Sequence, residues 1–205
     1  EGTFTSIFSY EAIFGDVFQR DGRKGFDIII GNPPYLEDTE EGGGYRDIQD
    51  SLELGGNQMY GIFWKRSIVH LARIGGQISF ITSDALFTSK THRKLRECLL
   101  TQTEMHYCIK AGHWFFTFNN NWTCIMTVTK KPEPNPAHQT VYYDISKLPN
   151  TNSSLLIALD SWKEEAVSEG DLLLAKASDG ARFIEVDGET YRIGRYLNLI
   201  NITWN

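Results

Sequence analysis

Apolar residues in this chain gather in short runs separated by glycine, proline and acid. Phe26-Asp27-Ile28-Ile29-Ile30 is nearly continuous and lies between Gly25 and Gly31-Asn32-Pro33-Pro34. β-branched residues between such punctuators predict a buried strand with parallel neighbours. The two prolines then turn the chain out of the sheet, because they have no amide proton for a ladder. Residues 36–56 show no periodicity and are rich in glycine and acid, which predicts a long loop. Tyr60, Phe63, Trp64, Ser67, Ile68 and Leu71 recur at helical spacing and outline one apolar face, with Gly75-Gly76 expected to end the helix. A strand over 77–82 follows. A second helix over about 89–100 is expected to start from the Thr88/Ser89 cap and to bury Leu95 and Leu99. Further strands are predicted over 106–110 and 122–130, and again over 139–144 beyond the stiff segment Lys131-Pro132-Glu133-Pro134-Asn135-Pro136. Residues 155–169 read as a helix and 182–205 as β-rich. The alternation predicts an α/β domain with a mostly parallel sheet and a late antiparallel partner. Residues 1–131 would form that domain, and 132–205 a linker and the start of another, mixed or β-rich region.

Composition narrows the class. With 205 residues, 41% hydrophobic and 13% aromatic, the chain suits a packed core and not a disordered segment. No apolar run approaches the ~20 residues that cross a bilayer, so no membrane partner is expected. The N-terminal stretch EGTFTSIFSYEAIF has no basic lead and does not read as a signal peptide. Cys98, Cys108 and Cys124 are widely spaced and odd in number, which suits reduced thiols in a cytoplasmic protein. Neither they nor His70, His92, His106, His113 and His138 show metal-ligand spacing, so no metal is assigned.

The net charge of −6 argues against a polyanionic partner until it is divided along the chain. Residues 1–57 carry 4 basic against 12 acidic side chains, 58–132 carry 10 against 3, and 133–205 carry 6 against 11. The middle piece is therefore basic, at +7, which is compatible with nucleic acid. Lys90, Arg93, Lys94 and Arg96 are candidate phosphate contacts within it, although a solvated helix face is the plainer reading.

The candidate chemistry lies just past the first strand, where ligand sites form in open α/β sheets. Asn32-Pro33-Pro34-Tyr35 suits methylation of an exocyclic amine. Such a nitrogen is a poor nucleophile because its lone pair is delocalised into the ring. The Asn32 side-chain oxygen and the Pro33 carbonyl can accept its two N–H groups and draw it towards a pyramidal, nucleophilic state. Tyr35 offers a ring for an extruded base.

The run Phe26–Tyr35, then Asn57-Gln58-Met59-Tyr60-Gly61-Ile62-Phe63, then Gly75–Ser83 resembles the gamma-group N6-adenine DNA methyltransferases, in particular the large fused restriction–modification enzymes. The resemblance covers about residues 7–131. It implies the catalytic half of a Rossmann-like sheet that uses S-adenosylmethionine, with double-stranded DNA and the remainder of a parent polypeptide as partners. It places Asn32, Pro33 and Tyr35 in the catalytic tetrapeptide. Asp16 falls at the cofactor's adenine amino group, and Phe118 joins Tyr35 against a flipped adenine. Phe115, Phe116 and Trp122 read as core aromatics.

The family's glycine-rich cofactor turn should lie well upstream, yet only 31 residues precede Asn32. The expectation is a fragment that lacks the first strands of the sheet and half of the cofactor site, and that is inactive alone. Rival readings are a non-catalytic DNA-recognition module and a methyltransferase of RNA or of a protein glutamine.

Overall fold

Strand β1 (Phe26–Gly31) forms where the apolar run predicts it and pairs in parallel with β2 (Ala72–Ser83). It is not the buried strand expected, since it lies at the sheet edge with one neighbour among the described residues, and its own residues are half-buried or exposed. The computed structural model describes residues 9–36, 46–54, 58–113, 122–146, 148–149 and 182–197. Among these, β3 (Thr103–Gly112), β4 (Thr123–Lys130), β5 (Thr140–Asp144), β6 (Arg182–Val186) and β7 (Glu189–Leu197) complete a seven-stranded sheet in the order β1-β2-β4-β3-β5-β7-β6. β4 and β7 run against the other strands, so each makes antiparallel pairs on both sides, while β1–β2 and β3–β5 are parallel. The late antiparallel partner is thus β4, inserted between β2 and β3. The sheet continues across the expected boundary at 131/132. The proline-rich segment there is a strap, tied down where the Asn135 amide donates to Glu104 Oε1 at 3.0 Å and His138 Nε2 meets the Met105 carbonyl at 2.8 Å.

One face of the sheet is covered by α4 (Met59–Arg66) and α6 (Arg93–Gln102). Tyr60, Trp64 and Ile68, spaced one helical turn apart, are fully buried against Ile78, Phe80, Met126 and Val128 of the sheet and Leu95 and Leu99 of α6. Phe63, expected on this face, is 42% exposed at its margin. A smaller apolar cluster joins Ala111, Tyr143, Ile145, Leu148 and Val186.

Three element boundaries differ from the sequence reading. Gly75-Gly76 does not end the helix. α4 passes into a π-helical turn, Ser67–Leu71, and β2 begins at Ala72. There the Lys130 ammonium donates to the Val69 and Ala72 carbonyls at 3.1 and 2.9 Å, meeting acceptors that a glycine cap would otherwise satisfy. The glycines instead form a bulge, because β2 advances from Ala72 to Gln77 while β1 advances from Phe26 to Ile28. Gly75 has φ +77°, and a Cβ on Gly76 would lie 2.7 Å from the Phe26 carbonyl oxygen. Next, the expected loop contains the short helix α3 (Arg46–Ser51), too brief to show a periodic stripe. Finally, Ser89 caps a 3₁₀ turn, Lys90–His92, by accepting from the Thr91 amide, so α6 starts only at Arg93. The predicted helix over 155–169 lies outside the described residues.

Trp64 touches both α4's neighbours and the Phe80 ring, at a centroid distance of 4.8 Å. Trp64→Ala is expected to lower the unfolding free energy by about 3–5 kcal/mol in urea denaturation. Phe63→Ala, at the open margin, should cost less than about 1.5 kcal/mol.

Candidate functional site

Asn32 leaves β1 at the carboxyl end of the sheet with its side chain exposed, and Pro33 behind it is buried. Neither proline can continue the ladder, so side chains and loop amides must fix the tetrapeptide. Tyr35 turns back onto β2, where its hydroxyl donates to the Ile81 carbonyl at 3.1 Å. One residue on, the Leu36 carbonyl accepts from the Met59 amide at 2.9 Å, at the start of α4. The segment is thus held on both sides, by the β1 ladder before it and by α4 after it.

The Tyr35 ring meets the Tyr60 ring edge-on at 6.3 Å. Tyr60 is fully buried, and its hydroxyl lies 2.6 Å from His92 Nε2. Burial pushes the Tyr35 phenol up to about 12, so it stays neutral and serves as a donor and a surface, not as a base. Burial, reinforced by the Arg96 charge, lowers the pKa of His92. Tyr60 and His92 are 32 residues apart, and no spacing in the sequence links them.

Beside Asn32 runs an apolar groove of about 520 Å³, walled by Ile28, Ile30, Phe14, Phe63 and Phe80 and closed at one end by Asn32 and the prolines. The volume is within the usual range for small-molecule sites. Its walls suit a flat, apolar group. Among its described lining residues only Tyr10, Asn32 and Ser67 carry polar side chains and none is a carboxylate, so the groove fits an apolar ring better than the ribose and amino-acid portions of S-adenosylmethionine.

The other candidates separate. Asp16 is exposed on α2 (Gly15–Phe18), which packs through Phe18 on Phe26 at the far end of β1. The structure does not bring Asp16 into the groove. Phe118 lies outside the described residues, as do Phe115 and Phe116. Lys90, Arg93 and Lys94 are exposed. Arg96 is not available to a phosphate. It is 6% exposed, and its Nη1 donates to the Leu86 and Ser89 carbonyls, both at 2.7 Å, pinning the loop that follows β2. It lies on the α6 face that also buries Leu95 and Leu99, which a solvated-face reading of the four cations overlooked. Trp122, read as a core aromatic, is 43% exposed. Among the described residues no group of histidine, cysteine and carboxylate side chains could hold a metal ion, and no helix is long and apolar enough to cross a membrane.

Neutral His92 has a consequence for stability. As pH falls below about 6.5, the unfolded chain takes up a proton that the folded state resists, so stability falls with acid. His106, whose pKa burial also lowers, acts in the same direction. The acid-side decline measured by denaturant titration should be shallower in His92→Gln.

Residues 3–116 match the model of the Eco57I restriction-modification methylase. No curated protein sequence matches the chain. Among solved structures, a chain from a type I restriction–modification system aligns with a TM-score of 0.54 and 18% identity, over 68% of this chain and 30% of that one. The Type ISP enzyme LlaGI, solved as a nuclease-deletion mutant with a DNA substrate mimic, aligns with a TM-score of 0.53 and 18% identity, over 68% and 14%. A chain of the DrdV–DNA complex aligns with a TM-score of 0.50 and 14% identity, over 65% and 16%. At these identities the likeness is one of fold, a Rossmann-like α/β sheet, and the chain spans less than a third of each of these proteins.

Proposed function

Because the chain belongs to the Eco57I restriction-modification methylase family, we propose that it supplies the acceptor half of an adenine-N6 DNA methyltransferase within a larger restriction–modification polypeptide. The observation that carries this reading is the exposed Asn32 at the carboxyl end of β1, on a tetrapeptide held by the Tyr35–Ile81 and Met59–Leu36 hydrogen bonds.

The target adenine leaves the duplex and stacks on the half-exposed Tyr35 ring. The Asn32 side-chain oxygen and the Pro33 carbonyl accept its two amino protons, and the nitrogen lone pair loses conjugation with the ring. S-adenosylmethionine supplies the electrophilic methyl group. The protein's contribution is position and electrostatics, and the proton leaves the nitrogen after transfer. Phe118 completes the enclosure of the base. Lys90, Arg93 and Lys94 contact phosphates, and residues 132–205, which add β5, β6 and β7 to the sheet, begin a target-recognition region.

The donor half comes from the rest of the polypeptide. β1 is an edge strand of the described sheet, with Ile28 69% and Ile30 80% exposed. Isoleucines this open on a parallel strand support a further strand and its covering helix beside β1. The cofactor's polar groups would be met there.

In the parent methylase, Asn32→Ala should reduce methylation of duplex DNA by roughly 10²–10³-fold or more, while affinity for DNA stays within about twofold. Equal methylation by the variant in a tritium-transfer assay would remove the basis for this reading. Separately, calorimetry should find little or no binding of S-adenosylmethionine to the 205-residue chain alone.

A further inference from the structure

We propose that Trp122 and Asp84 form a second base-binding shelf at the carboxyl edge of the sheet, taking an amino-bearing base of the strand that enters the Asn32 site. This rests on the methyltransferase reading and adds a residue pair that contacts DNA beyond the target base.

Trp122 is a large aromatic ring left 43% exposed immediately before β4. Its carbonyl accepts from the Asp84 amide at 3.0 Å, which places it directly beside the end of β2. β1 is the next strand over, and Asn32 lies level with Ile81 while Trp122 lies level with Asp84, so by ordinary strand spacing and rise Trp122 is about 14 Å from Asn32. That is within reach of nucleotides next to the extruded one. The ring is held from the β3 side. His113 packs against it with centroids 4.8 Å apart at 68°, and the Lys110 ammonium lies 5.6 Å from its centroid. Gly112, at φ +61°, lets β3 turn between these two residues, and a Cβ there would lie 2.9 Å from Ser146 Cβ. An indole fixed in this way loses little freedom when a base stacks on it.

The charges nearby decide what kind of group docks. Lys110 is accompanied by the carboxylates of Asp84 and Asp144. Asp144 is already engaged, accepting from the Ser146 amide and hydroxyl. Asp84 is half-buried, and its carboxylate makes no hydrogen bond to another described side chain. Two acids against one lysine disfavour a phosphate. A carboxylate beside a stacking ring suits the exocyclic amine of cytosine or adenine, as acids accept from cytosine N4 in grooves.

The test uses the 205-residue chain with twelve-residue oligo-dC, oligo-dA and oligo-dT, read by tryptophan quenching and fluorescence anisotropy over a range of salt. Oligo-dC and oligo-dA should quench and bind more tightly than oligo-dT. Trp122→Ala should weaken binding on the order of tenfold with an unchanged salt slope, whereas Trp122→Phe keeps most of the affinity. Asp84→Asn should keep the quenching and erase the preference over oligo-dT. Equal binding by Trp122→Ala, no base preference in the unaltered chain, or no binding at all overturns the shelf. Thermal melts of Trp122→Phe and Asp84→Asn, expected to match the unaltered chain, separate these results from misfolding. Loss of the shelf with Asn32-dependent methylation intact in the parent leaves the methyltransferase reading standing, and absence of that methylation removes the reading itself.

Discussion

The hydrogen bond from the Tyr35 hydroxyl to the Ile81 carbonyl governs the carboxyl edge of this sheet. Two prolines in succession cannot ladder, so the segment leaving β1 has lost the ordinary means of staying near its neighbour. One side-chain bond returns it to β2, and the Met59–Leu36 bond ties its far end to α4. Each is worth only about 1 kcal/mol net. Their effect is geometric, since together they limit where the Asn32 side chain and the Pro33 carbonyl can point. The amine site proposed for Asn32 and Pro33 needs two lone pairs converging on one nitrogen, and a loop free to move would not supply them.

Behind this segment the interior is polar where an apolar core would have sufficed. Tyr60, His92 and Arg96 are all buried, and each aims a polar atom at a specific partner: the His92 ring, the Tyr60 hydroxyl, and the Leu86 and Ser89 carbonyls. Removing such groups from water has a cost that apolar residues would avoid. What they add is direction. Tyr60 places a ring edge against Tyr35, while Arg96 fixes the loop after β2, and both loops end at the same edge of the sheet. Position is therefore set from α4 and α6 on one face, outward to the residues that meet a ligand.

The two margins of the sheet near β1 differ in kind. At the carboxyl edge the exposed groups are polar or aromatic and come from several strands, which suits nucleic acid. Along the β1 edge they are Ile28 and Ile30, which suit protein. A basic middle segment with an acidic beginning and end is consistent with this division, since the +7 lies on residues 58–132 and the groove wall at β1 is uncharged.

Strand β1, the apolar face of α4 and the tetrapeptide after Gly31 were legible from sequence because each depends on neighbours within a few residues: a β-branched run, a helical period, a pair of prolines. The acceptor chemistry proposed for the site rests on the same four residues. Other features depended on groups far apart in the chain. Gly75-Gly76 reads as a helix stop, yet it is a bulge because the Phe26 carbonyl approaches it and because Lys130, more than fifty residues on, satisfies the helix end. Arg96 resembles its three basic neighbours in sequence, and only the packing of α6 turns it inward to the Leu86 and Ser89 carbonyls. Trp122 reads as a core aromatic, and its place just before β4 leaves it 43% exposed against His113. Local chemistry and periodicity were thus determined by the sequence itself, while burial, the fate of each charge and the meeting of distant side chains were decided only by the tertiary fold, because they depend on which surfaces the sheet brings together.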